Sequence, residues 1–214
     1  TKWFGEWSTY AAPPEVELPA VPDNDPSSSV YNPPGQLQDV VSMTETVGLV
    51  RANAGYYALN LANQVLGGSS IASRLYHDLR EQRGLVYFVD SELDVGDTRS
   101  TFAIEYACDP ASVPKARALL AQDLREMQTV PVSDDELVRT KALLIRQLSL
   151  AGSGDDAIAR DDLDRAVSGL PLDEPSQAAA AYASLTAADV MHAFAQWVRP
   201  SGFVEIIDGP YPPQ

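Results

Sequence analysis

Arg83 and Tyr87 are the two side chains whose types and spacing best support chemistry. Arg83 stands in the last turn of a predicted helix, Gly84 allows the chain to reverse, and Tyr87 follows three residues later in a predicted strand. The reversal can bring a guanidinium and a phenol hydroxyl to one end of a sheet, where both can donate hydrogen bonds to an oxyanion or a carbonyl group. A structural interpretation stays open, because arginine at a helix C-terminus complements the helix dipole and tyrosine is common in strands.

Gly67 and Gly68 form a second candidate site, a short glycine loop that continues into two serines. Because glycine has no side chain, such a loop lets a substrate backbone approach closely, so we predict substrate binding there. The same two glycines also end a predicted helix over 56–66. Helix termination and substrate binding therefore both remain possible roles.

The histidines and the cysteine predict no metal site in this chain. His77 and His192 are the two histidines of the sequence, and neither has a second histidine four residues away. A helical zinc site needs neutral imidazoles on one face of the helix beside a carboxylate. The single cysteine, Cys108, lies in an alternating apolar stretch, which indicates a buried thiol and not a nucleophile.

The hydrophobic pattern predicts an α+β fold in which helices pack on one face of a mostly antiparallel sheet. A strand over 37–47 comes first, and the helix over 56–66 follows it. A second helix is predicted with Ile71, Leu75 and Leu79 on one face. The remaining predicted elements are a hairpin of strands from Val86 and over 100–107, helices over 113–127, 133–148, 157–167, 176–183 and 186–197, and a last strand over 203–207.

Proline content divides the chain into two predicted parts. Residues 1–35 contain seven prolines, which lack an amide donor and hold φ fixed, so we predict an extended linker from a preceding element. Residues 36–214 form the predicted folded domain.

The net charge excludes some classes of partner. The formal charge is −15, so binding to nucleic acid, which needs lysine and arginine against the phosphates, is not expected. The sequence has no apolar run near the roughly 20 residues that a membrane span requires, so no membrane partner is expected either.

The segment from Asn63 to Tyr87 resembles the pitrilysin/insulinase family of zinc metallopeptidases, which includes the mitochondrial processing peptidase. The resemblance covers about residues 36–207. Members of this family are built from paired homologous domains, of which the first carries an inverted H-x-x-E-H zinc motif and the second usually lacks it. This chain is similar to the second, zinc-less domain, a metallopeptidase half-domain of the processing-peptidase type. The motifs that carry the resemblance are Leu66-Gly67-Gly68, Ser73-Arg74-Leu75, Leu79-Arg80-Glu81 and Arg83-Gly84-Leu85-Val86-Tyr87.

The resemblance implies a partner domain for peptide hydrolysis. It gives Arg83 and Tyr87 the role of catalytic residues that reach across to the zinc site, and Gly67 and Gly68 the role of substrate contacts. Zinc is then expected in a homologous partner domain, fused or separate, the substrate is a peptide, and this chain alone is not expected to be active.

Two other functions remain as alternatives. Some members of the resembled family are non-catalytic scaffold or assembly subunits of the same fold. A free-standing hydrolase of another type is disfavoured, because the sequence has no G-x-S-x-G nucleophile motif. The sequence leaves the compartment open, with the bacterial periplasm and cytoplasm both compatible with it.

Overall fold

Five strands form a single sheet in the computed structural model, which describes residues 19, 21–68, 71–96, 98–151 and 154–212. The strands lie in the spatial order β1-β5-β2-β4-β3, with β1 parallel to β5 and every other neighbouring pair antiparallel. Their bounds are β1 Ser27–Tyr31, β2 Asp39–Val47, β3 Val86–Val95, β4 Ser100–Cys108 and β5 Val204–Asp208.

Six α-helices accompany the sheet in the part of the chain that the structure describes. Their bounds are α1 Tyr56–Leu66, α2 Val113–Thr129, α3 Asp134–Ala151, α4 Asp155–Val167, α5 Glu174–Ser184 and α6 Ala187–Trp197. Two shorter helical pieces are a π-helical segment over Tyr76–Glu81 and a 3-10 turn over Pro110–Ser112. Of the helices in the described part of the chain, none combines the length and the apolarity needed to cross a bilayer.

The helices cover one face of the sheet. Along β2, every second residue from Asp39 to Val47 is buried and the residues between them are partly exposed. Phe102 and Ile104 of β4 point to the same buried side, where the Phe102 ring meets the Phe194 ring of α6 at 5.9 Å in an edge-to-face contact. The fold is therefore the predicted mixed α and β architecture, a mostly antiparallel sheet with helices on one face.

Strong periodicity in the sequence predicts the helices well. Helix α1 has the predicted bounds, and Gly67 follows it directly. The helix predicted to begin after Ser133 does so, because the Ser133 and Glu136 side chains each hydrogen-bond to the other residue's backbone amide, at 3.3 Å and 2.8 Å. The apolar stripe predicted for α2 is fully buried and consists of Val113, Ala116, Leu120, Leu124 and Met127.

The second predicted helix differs from expectation. Leu75 and Leu79 are buried as predicted, but the Ile71 side chain is 74% exposed and lies before the helical turns begin. The six residues from Tyr76 to Glu81 are π-helical. The prediction that Ile71 lies on the buried face assumed an α-helical period from Ile71 to Leu79, and it was wrong.

Strand β1 lies inside the stretch predicted to be a linker. Ser27–Tyr31 pairs in parallel with Val204–Asp208, and the Ser28 hydroxyl donates to Glu205 Oε2 at 2.7 Å. Proline is tolerated around it because β1 is an edge strand, exposed along its whole length. Residues 1–18 lie outside the described residues, so the division into a linker over 1–35 and a domain over 36–214 remains a prediction.

Candidate functional site

A corner formed by residues 80–88, called here the Gly84 corner, joins the π-helical segment to β3 and carries both predicted catalytic residues. Gly84 has a φ of +58°, in the left-handed region that favours glycine, and its amide donates to the Arg80 carbonyl at 3.1 Å. The Arg80 guanidinium then donates to the Val86 carbonyl at 2.9 Å, across the corner. These bonds fix the direction in which the chain enters the strand.

The π-helical geometry changes which side chains the corner presents. The Gln82 amide donates to the His77 carbonyl, five residues back, at 2.9 Å. A π turn contains one residue more than an α turn, so the residues that follow are rotated by about 100° around the helix axis. Leu79, which is completely buried, anchors the segment, while residues 80–84 that follow it are exposed.

A β-bulge places Tyr87 at the start of β3. Val86 pairs with Cys108 and Phe88 pairs with Ala107, so Tyr87 has no opposite residue on β4. The insertion breaks the alternation of the strand, and the Tyr87 and Phe88 side chains are consecutively exposed at 43% and 40%. Bulges of this kind redirect a side chain and occur often beside active sites.

The Tyr87 hydroxyl has a strong acceptor nearby. It donates to Asp109 Oδ1 at 2.7 Å, just beyond the end of β4. This hydrogen bond to the carboxylate is the main reason why the pKa of Tyr87 is raised. The phenol therefore stays protonated and neutral, in the form that can donate.

Arg83 is exposed at the same corner. Its guanidinium donates to the Gln82 side-chain oxygen at 3.5 Å, and within the described ranges it forms no ion pair. Arg74 differs, because its guanidinium binds both carboxylate oxygens of Glu136 at 2.6 and 2.9 Å. Among the described residues, no carboxylate pairs with the charge of Arg83.

Gly67 and Gly68 lie elsewhere, at the end of α1 against β3. The Gly67 carbonyl accepts the Ser91 amide at 2.9 Å, and a Cβ atom on Gly67 would lie 2.6 Å from Ser91 Oγ. Both glycines are buried, so close packing of helix against strand explains Gly67 without a substrate. Ser69 and Ser70 are outside the described residues, and substrate binding by this loop stays a prediction.

Comparison with known proteins decides the family. A family model described as "Peptidase M16 inactive domain" matches residues 1–144. The chain belongs to the peptidase M16 inactive-domain family. The resemblance found in the motifs of the sequence is thereby confirmed.

Solved structures and a curated relative agree with this family. A peptidase M16 inactive domain from Pseudomonas fluorescens superposes with a TM-score of 0.82 at 24% identity, over 93% of this chain and 47% of that one. A putative zinc protease from Bordetella pertussis gives a TM-score of 0.70 at 18% identity, over 84% of this chain and 97% of that one. At these identities the likeness establishes the fold. An uncharacterized zinc protease from Streptomyces coelicolor is 30% identical over 92 residues, which are 43% of this chain and 20% of that protein.

The described residues of this M16 inactive domain do not fit a zinc ion. Across the described ranges, no group of three or more histidine, cysteine and acidic side chains is arranged to hold a metal. The His77 ring is exposed and contacts the neighbouring Asp78 carboxylate at 2.9 Å, and His192 is exposed on α6. Cys108 is fully buried, and burial raises the pKa of its thiol to about 12, so it is the structural thiol that the sequence predicts.

Asp109 is the residue of this site that sequence reasoning missed. It follows a strand and precedes Pro110, which is typical of an ordinary turn. Its contact with Tyr87 spans 22 residues of sequence and depends on the pairing of β3 with β4. The sequence therefore contained no signal that linked it to the catalytic candidates.

Proposed function

We propose that this M16 inactive domain is the partner half of a zinc metalloendopeptidase, in which Arg83 and Tyr87 bind peptide substrate and stabilise the transition state of its hydrolysis. The observation that carries the proposal is the Gly84 corner, where a guanidinium with no ion pair among the described residues and a neutral phenol are exposed within five residues of each other. Zinc and the general base would come from a homologous zinc-bearing domain, in the same protein or a separate subunit.

The chemistry of the two donors suits this role. Hydrolysis of a peptide bond develops negative charge on the carbonyl oxygen, and fixed donors aimed at that charge stabilise the transition state. The bonds across the corner and the bulge at Tyr87 hold the backbone of both residues without using either side chain as a structural contact in the core. The corner is therefore organised before a substrate arrives.

Strand β3 supplies a place for the substrate backbone. In the described part of the sheet β3 pairs with no strand other than β4 and is therefore an edge strand, although the Gly67 carbonyl already accepts the Ser91 amide and Arg80 already binds the Val86 carbonyl. An extended peptide can add to such an edge through main-chain hydrogen bonds, which are largely independent of side-chain sequence. This mode of binding would bring a peptide carbonyl close to the corner.

The test is peptide turnover by this chain combined with its zinc-bearing partner. We expect Tyr87→Phe to reduce kcat by about 10²–10³, the usual effect of losing one oxyanion donor. Arg83→Ala should have a similar effect, and Arg83→Lys an intermediate one because the charge remains but the planar donor fork is lost. Thermal unfolding of each variant should match the unmodified chain, since both side chains are exposed.

Matched controls separate the site from general surface effects. Tyr31→Phe removes the hydroxyl of a tyrosine that is 64% exposed on edge strand β1, and Arg146→Ala removes an exposed charge on α3. Both should leave turnover unchanged. Normal turnover in both the Tyr87 and Arg83 variants would reject the catalytic roles and leave a non-catalytic scaffold or assembly subunit as the function.

A further inference from the structure

Asp109 stands in a helix-capping position without capping the helix. It precedes the 3-10 turn Pro110–Ser112, and the Ser112 amide donates at 2.8 Å to the Asp109 backbone carbonyl. No backbone amide of the turn binds the carboxylate, although aspartate at such a position usually accepts one. The carboxylate instead accepts the Tyr87 hydroxyl.

The single proton of the Tyr87 hydroxyl is therefore already engaged. A phenol has one hydrogen to donate, and Asp109 holds it at 2.7 Å. Hydrogen bonds to a charged acceptor are stronger than those to a neutral one, so the neutral carbonyl of a bound peptide competes poorly for this proton. A negatively charged oxygen is an acceptor of the same kind as the carboxylate and can take the hydrogen bond over.

We propose that Asp109 is a positioning residue that reserves the Tyr87 hydroxyl for a negatively charged acceptor on the substrate. The inference rests on the proposed function of Tyr87 and makes it more specific. The hydroxyl keeps its hydrogen bond to Asp109 while the substrate binds. It turns to the substrate oxyanion as negative charge develops there, so the hydrogen bond to substrate forms in the transition state and not in the ground state. No covalent bond changes in this exchange, because only the acceptor of the hydrogen bond is replaced.

The first measurement concerns Tyr87 itself and needs no substrate. Because the bond to Asp109 raises the pKa of Tyr87, Asp109→Asn should lower that pKa, and this can be followed by NMR titration of the full chain with ring-labelled tyrosine. Tyr87→Phe identifies the resonance. Asp25→Asn, which changes an exposed aspartate far from this contact in sequence, should leave the titration unchanged.

The second measurement is turnover with the zinc-bearing partner. In Asp109→Asn the competing acceptor becomes a neutral amide, so we expect kcat/KM to rise by about fivefold. The same substitution made in Tyr87→Phe should have no effect, because the hydroxyl through which Asp109 acts is missing. Asp109→Glu keeps the carboxylate, so its kcat/KM should lie closer to that of the unmodified chain than the kcat/KM of Asp109→Asn does.

The outcomes distinguish the two proposals. If Tyr87→Phe lowers turnover but Asp109→Asn leaves kcat/KM unchanged or reduces it, the role of Asp109 is refuted and that of Tyr87 stands. An unchanged Tyr87 titration in Asp109→Asn also refutes the role of Asp109. If Tyr87→Phe turns over peptide normally, the catalytic role of Tyr87 fails and the role of Asp109 fails with it, whatever the titration shows, while the role of Arg83 is decided by its own variants.

Discussion

A buried carboxyl group, Asp123 of α2, lies beneath the π-helical segment that leads to Arg83. Its side chain is almost inaccessible, and its Oδ2 atom has no hydrogen-bond partner in the described part of the chain. Burial raises the pKa of Asp123 to about 7, with further contributions from the charges of Asp78 and Glu126. The perturbation we consider is Asp123→Asn, which keeps the shape of the side chain and removes its ability to ionise.

The magnitude and sign of the effect follow from proton linkage. The unfolded chain releases the proton of Asp123 near its ordinary pKa of 3.8, whereas the folded chain keeps it until the pH passes about 7. The folded state therefore binds more protons between these values, and its free energy of unfolding falls as the pH rises through this window. A shift of roughly three pKa units corresponds to at most about 4 kcal/mol of lost stability above pH 7.

The assay is urea unfolding of the unmodified chain and of Asp123→Asn between pH 4 and pH 8.5. We expect the two to have similar free energies of unfolding near pH 4 and the variant to be more stable by about 2–4 kcal/mol at pH 8. Asp94→Asn, which removes an exposed carboxyl on β3, should follow the pH dependence of the unmodified chain. If Asp123→Asn shows the same pH dependence as the unmodified chain, Asp123 does not retain its proton in the folded state and the reasoning is wrong.

Two further predictions concern packing and charge in the core. Gly67→Ala should lower the free energy of unfolding by about 1–3 kcal/mol in urea, because the added Cβ would lie 2.6 Å from Ser91 Oγ. Gly154 has open space around it, so Gly154→Ala should cost much less. Equal losses in the two variants would contradict this account. Arg199→Met removes the ion pair of the buried Glu45, whose pKa burial raises to about 7. By the same assay, the variant should lose about 3 kcal/mol of unfolding free energy at pH 8, where Glu45 is ionised, and clearly less at pH 5, where it is protonated. A loss that is the same at both pH values would show that the ionisation of Glu45 does not change between pH 5 and pH 8, which contradicts a pKa of about 7.

The predictable parts of the fold are those where one period dominates over several turns. The helix over 56–66 has a single apolar face and a glycine stop, so its bounds follow from local sequence. The hairpin of β3 and β4 follows from alternation on both sides of a glycine turn. In both cases the local preference and the tertiary packing favour the same structure.

The unpredicted parts depend on contacts between distant residues. The π-helical segment has ordinary helical composition, and the exposure of Ile71 depends on where the helical turns begin. Strand β1 has five exposed residues and no apolar alternation, so its pairing with β5 has no signature in the sequence. The contact of Asp109 with Tyr87 likewise exists only because a bulge offsets the register of two strands.

The bulge at Tyr87 bears on the choice between an active partner and a scaffold. It leaves Tyr87 without a pairing partner on β4. Tyr87 and Phe88 are both exposed, so no burial of their side chains offsets the lost strand pairing. The unpaired Arg83 beside it contributes no ion pair to the described part of the fold. A domain selected for packing alone would gain stability from a regular edge strand here, so these costs favour a role for the corner in contacts with another molecule.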